Sequence, residues 1–488
     1  SSGVTSGSNV QTHTTSTIDG LDFGWDSFGV SRSFDGTIDE TRLSDVARSA
    51  DWLATEYNNI SDTAAFYDAT TSESYGSIGS TTVPYTLDDV DGVLDFHNVT
   101  FGEGSGSATW SIHDTLDIEN ALTVAYGTLA RGTEAVLVAG NLTTQANGFW
   151  TGIGTTTFDG INPSTWTDTN ATKQNIGNVV VNGTSKTMIL GSNVVMNSMR
   201  VETDDVFDLS TTGYTASVYR GWTNMGSFLP RTGTVAFIAT SSSYVINNGP
   251  SPFYNLTFNG AGGAWSFATA TLTVQNNFTI ATGTVTMPTG TTTISGSFLN
   301  TGGTFAHNNA NVLFNGSGSK TITQSGTAFT NAFYNVRFTG SGSWSFSEAN
   351  ATTTNNFTIT QGAVTLPSTA LSVGNSFAQT GGSFSHNNGT VRFTGSGTHT
   401  IDINSSSFND IAFTGSGSWS FLDTSLTVLG DMLVQSGTLT MPTGTLSLGG
   451  SFTNTATVAH ASGTVLFNST GIGETINLGN SPLHHMVF

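Results

Sequence analysis

Residues 253–267 read Phe-Tyr-Asn-Leu-Thr-Phe-Asn-Gly-Ala-Gly-Gly-Ala-Trp-Ser-Phe. The first six residues of this stretch form a block that occurs six times along the chain, at residues 96–101, 176–181, 253–258, 333–338, 408–413 and 483–488. Successive blocks begin 80, 77, 80, 75 and 75 residues apart. Recurrence at a nearly fixed interval predicts a chain of stacked structural repeats.

Each long repeat contains a shorter period. Residues 253–332 divide into segments of 22, 20, 20 and 18 residues, and most of these hold three short β-prone runs separated by turn-forming residues. Such runs could form an antiparallel sandwich or the three-sided coil of a β-helix. Segments of this length favour an all-β, right-handed parallel β-helix, with roughly four coils in each 75- to 80-residue repeat.

Two residue types mark equivalent positions in the repeats. A tryptophan follows the glycine-rich turn in four of them, and the third residue of four blocks is asparagine: Trp110, Trp265, Trp344, Trp419, Asn98, Asn178, Asn255 and Asn335. We expect the tryptophans to occupy equivalent sites one long repeat, or roughly four coils, apart. The asparagines are expected at coil corners, where an amide can bond backbone groups.

The composition agrees with extended structure on an exported protein. The chain has 488 residues, no cysteine, only 9% charged residues and 32 phenylalanines, so it has a large apolar surface to bury. The formal net charge is −21, and 16 of the 33 acidic residues lie in residues 1–95. This charge disfavours nucleic acid as a partner, and no apolar run is long enough to insert in a membrane.

Several phrases in the repeats resemble those of bacterial β-strand-repeat surface proteins. These are the sequences at 276–280, 296–300, 304–309, 312–316 and 320–322, and the resemblance extends over residues 94–488. It implies an adhesin-like parallel β-helix that is extracellular or attached to the cell surface, and it transfers no catalytic residues.

Residues 18–24, 34–44 and 47–57 resemble the last strands and closing helix of a concanavalin A-like, laminin-G-type jelly roll. This implies the C-terminal part of such a domain at 1–58, a connector at 59–92 and the solenoid at 93–488. The solenoid repeats are predicted at 96–175, 176–252, 253–332, 333–407 and 408–482, with a sixth beginning at 483.

Both ends of the chain are expected to need a partner. An incomplete jelly roll and an uncapped solenoid each expose apolar side chains and unpaired strand edges. The residues expected there are Phe23, Trp25, Phe34, Trp52, Leu483, Met486 and Phe488. The hypothesis that follows is a head-to-tail homopolymer.

Few residues suggest a catalytic or metal-binding site. We predict no catalytic residues and no cofactor, with calcium the one ion considered, at Asp88, Asp89 and Asp91 before Gly92. The densest solenoid acids, Asp204, Asp205 and Asp208, are interpreted as a solvated turn. The equivalent histidines His307, His386 and His460 are assigned to turns, since four coils would hold them about 19 Å apart, too far for one metal ion.

Three functions remain open at this stage. The favoured hypothesis is an extracellular structural protein that forms a cell-surface fibre by end-to-end association, and it is not an enzyme. A carbohydrate-binding surface adhesin, with glycans as partners, is the alternative. A polysaccharide-cleaving enzyme would need two carboxyl groups about 5 to 9.5 Å apart on one face, and the acids of residues 253–488 are scattered.

Overall fold

A computed structural model describes residues 85–88, 93–102, 107–325, 331–404 and 406–488. Within these residues the chain is all-β without a helix, and its parallel strands stack about 20 residues apart in a β-solenoid of about 19 turns. The predicted fold class is therefore confirmed. Contacts divide the chain into Ser1–Glu73 and Ser74–Phe488, and all described strands lie in the second unit. The jelly-roll resemblance, including Phe23, Trp25, Phe34 and Trp52, lies outside the described residues.

The strands are short and are numbered in chain order. Those up to residue 252 are β1 (Tyr85–Leu87), β2 (Val93–Phe101), β3 (Thr109–Ile112), β4 (Thr115–Ala130), β5 (Val136–Val138), β6 (Leu142–Thr151), β7 (Thr155–Phe158), β8 (Ser164–Asp168), β9 (Asn178–Val181), β10 (Thr187–Leu190), β11 (Val194–Met196), β12 (Ser198–Val201), β13 (Val206–Asp208), β14 (Thr215–Val218), β15 (Trp222–Asn224), β16 (Ser227–Leu229), β17 (Thr234–Phe237) and β18 (Ser243–Asn247).

The third and fourth long repeats contain β19 (Asn255–Phe267), β20 (Leu272–Val274), β21 (Phe278–Thr286), β22 (Thr291–Ile294), β23 (Phe298–Asn300), β24 (Thr304–Ala306), β25 (Asn311–Phe314), β26 (Ser319–Gln324), β27 (Asn335–Phe338), β28 (Ser343–Phe346), β29 (Asn350–Thr353), β30 (Phe357–Ile359), β31 (Ala363–Thr365), β32 (Ala370–Val373), β33 (Phe377–Gln379), β34 (Ser383–Ser385), β35 (Thr390–Phe393) and β36 (Thr398–Asp402).

The remaining strands are β37 (Ser407–Phe408), β38 (Asp410–Phe413), β39 (Ser418–Phe421), β40 (Leu426–Val428), β41 (Met432–Val434), β42 (Thr438–Thr440), β43 (Thr445–Leu448), β44 (Phe452–Asn454), β45 (Thr457–Ala459), β46 (Thr464–Phe467), β47 (Ile476–Asn477) and β48 (His485–Val487). The first strand already joins the ladder, because β1 pairs in parallel with β3. The ladder thus includes residues of the segment assigned to the connector.

One coil shows how the sequence produces these strands. The strands β23, β24 and β25 form its three sides, and β23 pairs in parallel with β21 of the coil before and β26 of the coil after. Side chains alternate along each strand, so that Phe298 and Asn300 point inward while Leu299 points outward. Glycine and asparagine are found at the corners of this coil, in residues 301–303 and 307–310, where the chain changes direction.

The interior is a set of stacked apolar side chains. Residues at the same register position of successive coils meet ring to ring, as Phe357 and Phe377 do with centroids 5.2 Å apart and planes inclined by 12°. Phe393 and Phe413 repeat this arrangement at 5.2 Å and 14°. Because these rings are fully buried, each coil covers the apolar face of the next.

The long repeat contains slightly fewer than the roughly four coils expected. Successive register partners connect Leu256, in the block of the third repeat, to Phe346, in the Trp-Ser-Phe strand β28 of the fourth repeat. The partners between them are Phe278, Phe298 and Ile322, so Phe346 lies four coils beyond Leu256. Phe421 stands in the same way above Val336, and Phe267 above Val179. Within one repeat, however, the Trp-Ser-Phe strand comes directly after the strand of the block, as β28 comes after β27, and lies on the next face of the solenoid. Each repeat is therefore one strand short of four coils.

The repeat thus contains three and two-thirds coils, and equivalent residues advance by one face from each repeat to the next. Trp265, Trp344 and Trp419 consequently lie on three different faces rather than in one stack. Their surroundings are nevertheless the same. Trp344 packs 5.4 Å from Phe338 and 6.4 Å from Phe314, and Trp419 packs 5.4 Å from Phe413 and 6.4 Å from Phe393. Each of the three indoles is at most 2% exposed.

A glycine of the following coil lies against each of these rings. A Cβ placed on Gly362 would lie 2.7 Å from Cζ3 of Trp344, and Gly283 and Gly437 approach Trp265 and Trp419 at 2.6 and 2.9 Å. Trp110, which is only half-buried, meets Gly127 in the same way at 2.7 Å. A side chain in place of the glycine would overlap the ring, so the tryptophan and the glycine turn depend on each other.

Replacing Gly362 by alanine should lower the free energy of unfolding of the surrounding coils by about 2–4 kcal/mol. The added methyl group would overlap Trp344 and the carbonyl oxygen of Gly342, and the backbone is left-handed with φ +80°. Native-state hydrogen exchange in β28 and β31 measures this loss.

The matched control is Gly318→Ala. Gly318 is also left-handed, with φ +71°, but no atom lies within 4 Å of an added Cβ. Its substitution should cost only the backbone strain, about 1–2 kcal/mol. Equal losses from the two substitutions would contradict a role for contact with the tryptophan.

Candidate functional site

Asn335, the third residue of the fourth block, begins a chain of corner hydrogen bonds. Its Oδ1 accepts from the backbone N–H of Asn356 at 3.1 Å and from the amide of Asn355 at 2.9 Å. Asn356 Oδ1 in turn accepts from the N–H of Ser376 at 3.2 Å, and Ser376 Oγ accepts from the N–H of Thr400 at 3.1 Å. This relay joins four successive coils through one corner.

The neighbouring repeats contain the same relay. It runs through Asn255, Asn277, Ser297 and Thr321 in the third repeat, and through Asp410, Asp431, Ser451 and Thr475 in the fifth. Aspartate replaces asparagine in the fifth repeat because the position needs only an oxygen acceptor. The serines of this relay were not singled out from the sequence, although they recur 44, 43 and 43 residues after the start of their blocks.

The first two block asparagines make related contacts. Asn98 Oδ1 accepts from the N–H of Ala121 at 3.1 Å and from the amide of Asn120 at 2.8 Å. Asn178 Oδ1 accepts from the hydroxyl of Ser198 at 2.9 Å. All four asparagines therefore bond the coil above them, at corners of the solenoid.

Of the three acids interpreted as a solvated turn, Asp204 is exposed in a turn, but for Asp205 and Asp208 the interpretation is wrong. Asp205 is fully buried, and its two carboxylate oxygens accept from the backbone N–H groups of Lys186 and Gly183 at 2.7 and 3.0 Å. Asp208 is 6% exposed and forms a bidentate ion pair with Arg231, with Nη2 to Oδ2 at 2.7 Å. These carboxylates stabilise corners because their oxygens replace missing backbone acceptors.

Two buried cations were not predicted. Arg131 donates to Thr156 Oγ1 at 2.7 Å and to the carbonyl oxygens of Gly154 and Ile176, and burial lowers its pKa to about 10. Lys186 donates to the carbonyl of Ala139. Burial lowers the pKa of Lys186, and the nearby Asp159 and Asp205 oppose that shift. These side chains bind backbone oxygens of neighbouring coils.

The first coils carry a group of titratable side chains on one outer face. Asp95 and Asp117 are register partners on β2 and β4, and His97 Nδ1 lies 3.3 Å from Glu119 Oε2. Burial, and then repulsion by Asp95, raises the pKa of Asp117. The pKa of Asp159 is likewise raised, first by burial and then by Asp117.

The equivalent histidines lie beside turns. Nδ1 of His307 and of His386 accepts from the N–H two residues later, at 3.0 Å in both turns. His307 stacks on Tyr334 with ring centroids 5.4 Å apart, and His460 lies 5.5 Å from His484. Since equivalent residues advance by one face per repeat, the three histidines also face different directions.

The proposed calcium ligands are only partly described, because Asp89 and Asp91 fall outside the described residues and Asp88 falls within them. Across the described ranges, no group of three or more histidine, aspartate or glutamate side chains could hold a metal ion.

The last described strand, β48, pairs with β46. On this strand and beside it, Leu483 is half-buried, Met486 is 41% exposed and Phe488 is 79% exposed, with its ring stacked 5.6 Å from Phe467. These are the side chains that the sequence assigned to an assembly end.

Comparison with known proteins assigns the chain to no family. No family model, curated protein or solved structure matches the chain. In the part of the chain that the structure describes, no helix is long and apolar enough to span a membrane.

Replacing Asn356 by alanine should destabilise its corner by about 1–2 kcal/mol, because the N–H of Ser376 loses its acceptor. Asn356→Asp is the matched control, since Asp431 performs the same role in the next repeat. Hydrogen exchange at the amide of Ser376 reports the effect. Unchanged protection in the alanine variant would show that the relay contributes nothing to stability.

Acidification should stabilise the first coils. A carboxyl whose pKa is raised by folding binds its proton more tightly in the folded state, so its unfavourable contribution is present at neutral pH. That contribution disappears as the pH falls through the raised pKa toward the ordinary value of 3.8, and it changes no further below that value.

Asp117→Asn should therefore raise the melting temperature at pH 7 and reduce its dependence on pH. Thermal unfolding of the wild type and the variant, followed by circular dichroism at several pH values, tests this. The same pH dependence in both proteins would contradict the assignment to Asp117.

Proposed function

We propose that this chain is an extracellular structural protein whose solenoid forms the shaft of a cell-surface fibre, with subunits joined end to end. The observation that carries the proposal is the set of parallel ladders between β1 and β48, four sheets that stack about 19 turns of the described chain on one another. At about 4.8 Å per coil, such a stack is roughly 90 Å long. Its side chains serve mainly to hold one coil to the next.

The distribution of polar side chains supports a structural role. Four buried charged side chains are engaged within the solenoid: Asp205, Arg131 and Lys186 bond backbone atoms, and Asp208 pairs with Arg231. The block asparagines bond the coil above. These groups are engaged in the architecture of the solenoid, which is what a shaft requires.

The end-to-end contact follows from the geometry of a stack. Wherever a solenoid ends, its last coil exposes an apolar cross-section and a row of unpaired backbone groups. A second subunit that adds its first coil there buries both. Met486 and Phe488, on and beside β48, are 41% and 79% exposed. This contact is heterologous, so it propagates as a fibre unless rotation closes a ring.

Electron microscopy and sedimentation of the full chain test the proposal. We expect fibres much longer than one solenoid, and Met486→Asp should shorten them to single subunits. Met225→Asp is the matched control, because Met225 is 42% exposed against 41% for Met486 and lies on the side of the solenoid. Wild-type protein that remains a single subunit at all concentrations would refute the end-to-end contact.

A further inference from the structure

Two exposed imidazole rings lie side by side at a corner shared by two successive coils. His460 is in the turn that leads into β46, and His484 directly precedes β48, the register partner of β46. Their ring centroids are 5.5 Å apart, with planes inclined by 35°. At the equivalent corner, His307 and Tyr334 lie 5.4 Å apart. The fold itself therefore brings two rings to this distance, and at 460 and 484 both rings carry nitrogens.

The turn after His460 differs from the two equivalent turns before it. Nδ1 of His307 and of His386 accepts from the N–H two residues later, in turns whose next two residues are left-handed asparagines. Ala461 replaces the first of these asparagines, and its backbone is not left-handed, a conformation that alanine rarely adopts. His460 consequently lacks this bond. Within the described chain, no protein group bonds a ring nitrogen of His460 or His484.

The distance between the two rings fits two ligands of one tetrahedral metal ion. Zinc bonds an imidazole nitrogen at about 2.0 Å, so the metal lies about 3.2 Å from the ring centre, and two such rings at the tetrahedral angle have centres about 5.2 Å apart. The observed 5.5 Å is close to this value. Imidazole suits zinc, nickel and copper, whereas magnesium and calcium take oxygen ligands. The pair is therefore suited to an ion of the zinc class.

We propose that His460 and His484 bind one divalent transition-metal ion of the zinc class, which joins their two coils. The described chain adds no third histidine or carboxylate to the pair, so water or another ligand fills the remaining positions. The strand that gains most is β48, because all three of its side chains are exposed and it pairs with β46 alone. This site does not depend on the proposed fibre.

Hydrogen exchange of the full chain with and without zinc chloride tests the proposal. Zinc should slow exchange of the β48 amides, because the strand cannot separate from β46 without breaking the site. The expected slowing is about 100-fold when the zinc concentration is a hundred times its Kd. Magnesium chloride should have no effect, because magnesium does not take imidazole ligands in this way.

The variant His484→Tyr separates metal binding from packing of the two rings. It reproduces the pair formed by His307 and Tyr334, so exchange without metal should be unchanged while the effect of zinc is lost. His460→Ala should lose the effect as well. His485→Ala is the matched control, because His485 is the next residue and is also exposed, and this variant should respond to zinc like the wild type.

Three outcomes would overturn the inference: no effect of zinc on β48 in the wild type, an undiminished effect in His484→Tyr, or loss of the effect in His485→Ala. None of these measurements depends on assembly. Protein that never joins end to end would refute the proposed fibre and leave the histidine site standing, whereas fibres whose β48 ignores zinc would refute the site alone.

Discussion

Every coil of this solenoid depends on the coil beside it, because the backbone N–H and C=O groups of a parallel strand have no partners within their own coil. The strands pair with strands one coil away, and the inward side chains do the same, ring on ring. A single coil therefore cannot satisfy its hydrogen bonds or bury its apolar face. Stability grows only by stacking, which makes the chain a one-dimensional structure.

The corners are where this dependence is hardest to satisfy. A strand's ladder of bonds stops at each turn, and the N–H groups there need acceptors from side chains. Asn335, Asn356 and Ser376 provide them in one repeat, and Asp410, Asp431 and Ser451 do so in the next. The pairing of tryptophan with glycine concerns space rather than hydrogen bonds, since a large ring fits beneath a corner only if the residue above it has no side chain.

The number of strands in a repeat decides on which faces of the solenoid equivalent residues lie. Had the repeat been four whole coils, each recurring residue would form a stripe along one face, suited to a single flat partner. Three and two-thirds coils distribute the same residues over three faces. A modest change in turn length thus converts a one-sided surface into one that looks similar from three directions, without altering the interior environment of Trp265, Trp344 or Trp419.

The sequence alone determined the all-β solenoid, the repeat period and the equivalence of the tryptophans. Strands buried on one side need alternating apolar residues and the turns between them need glycine, so both recur in the sequence at regular intervals. It also indicated that the block asparagines lie at corners. It did not determine the coil count, since corners differ in length and a period of 75 to 80 residues fits four short coils as well as three and two-thirds longer ones. Nor did it distinguish a solvated acid from Asp205, whose burial depends on backbone N–H groups of residues about 20 positions away. Such contacts between coils exist only once the chain is wound, so the faces on which the repeats lie were decided by the tertiary structure.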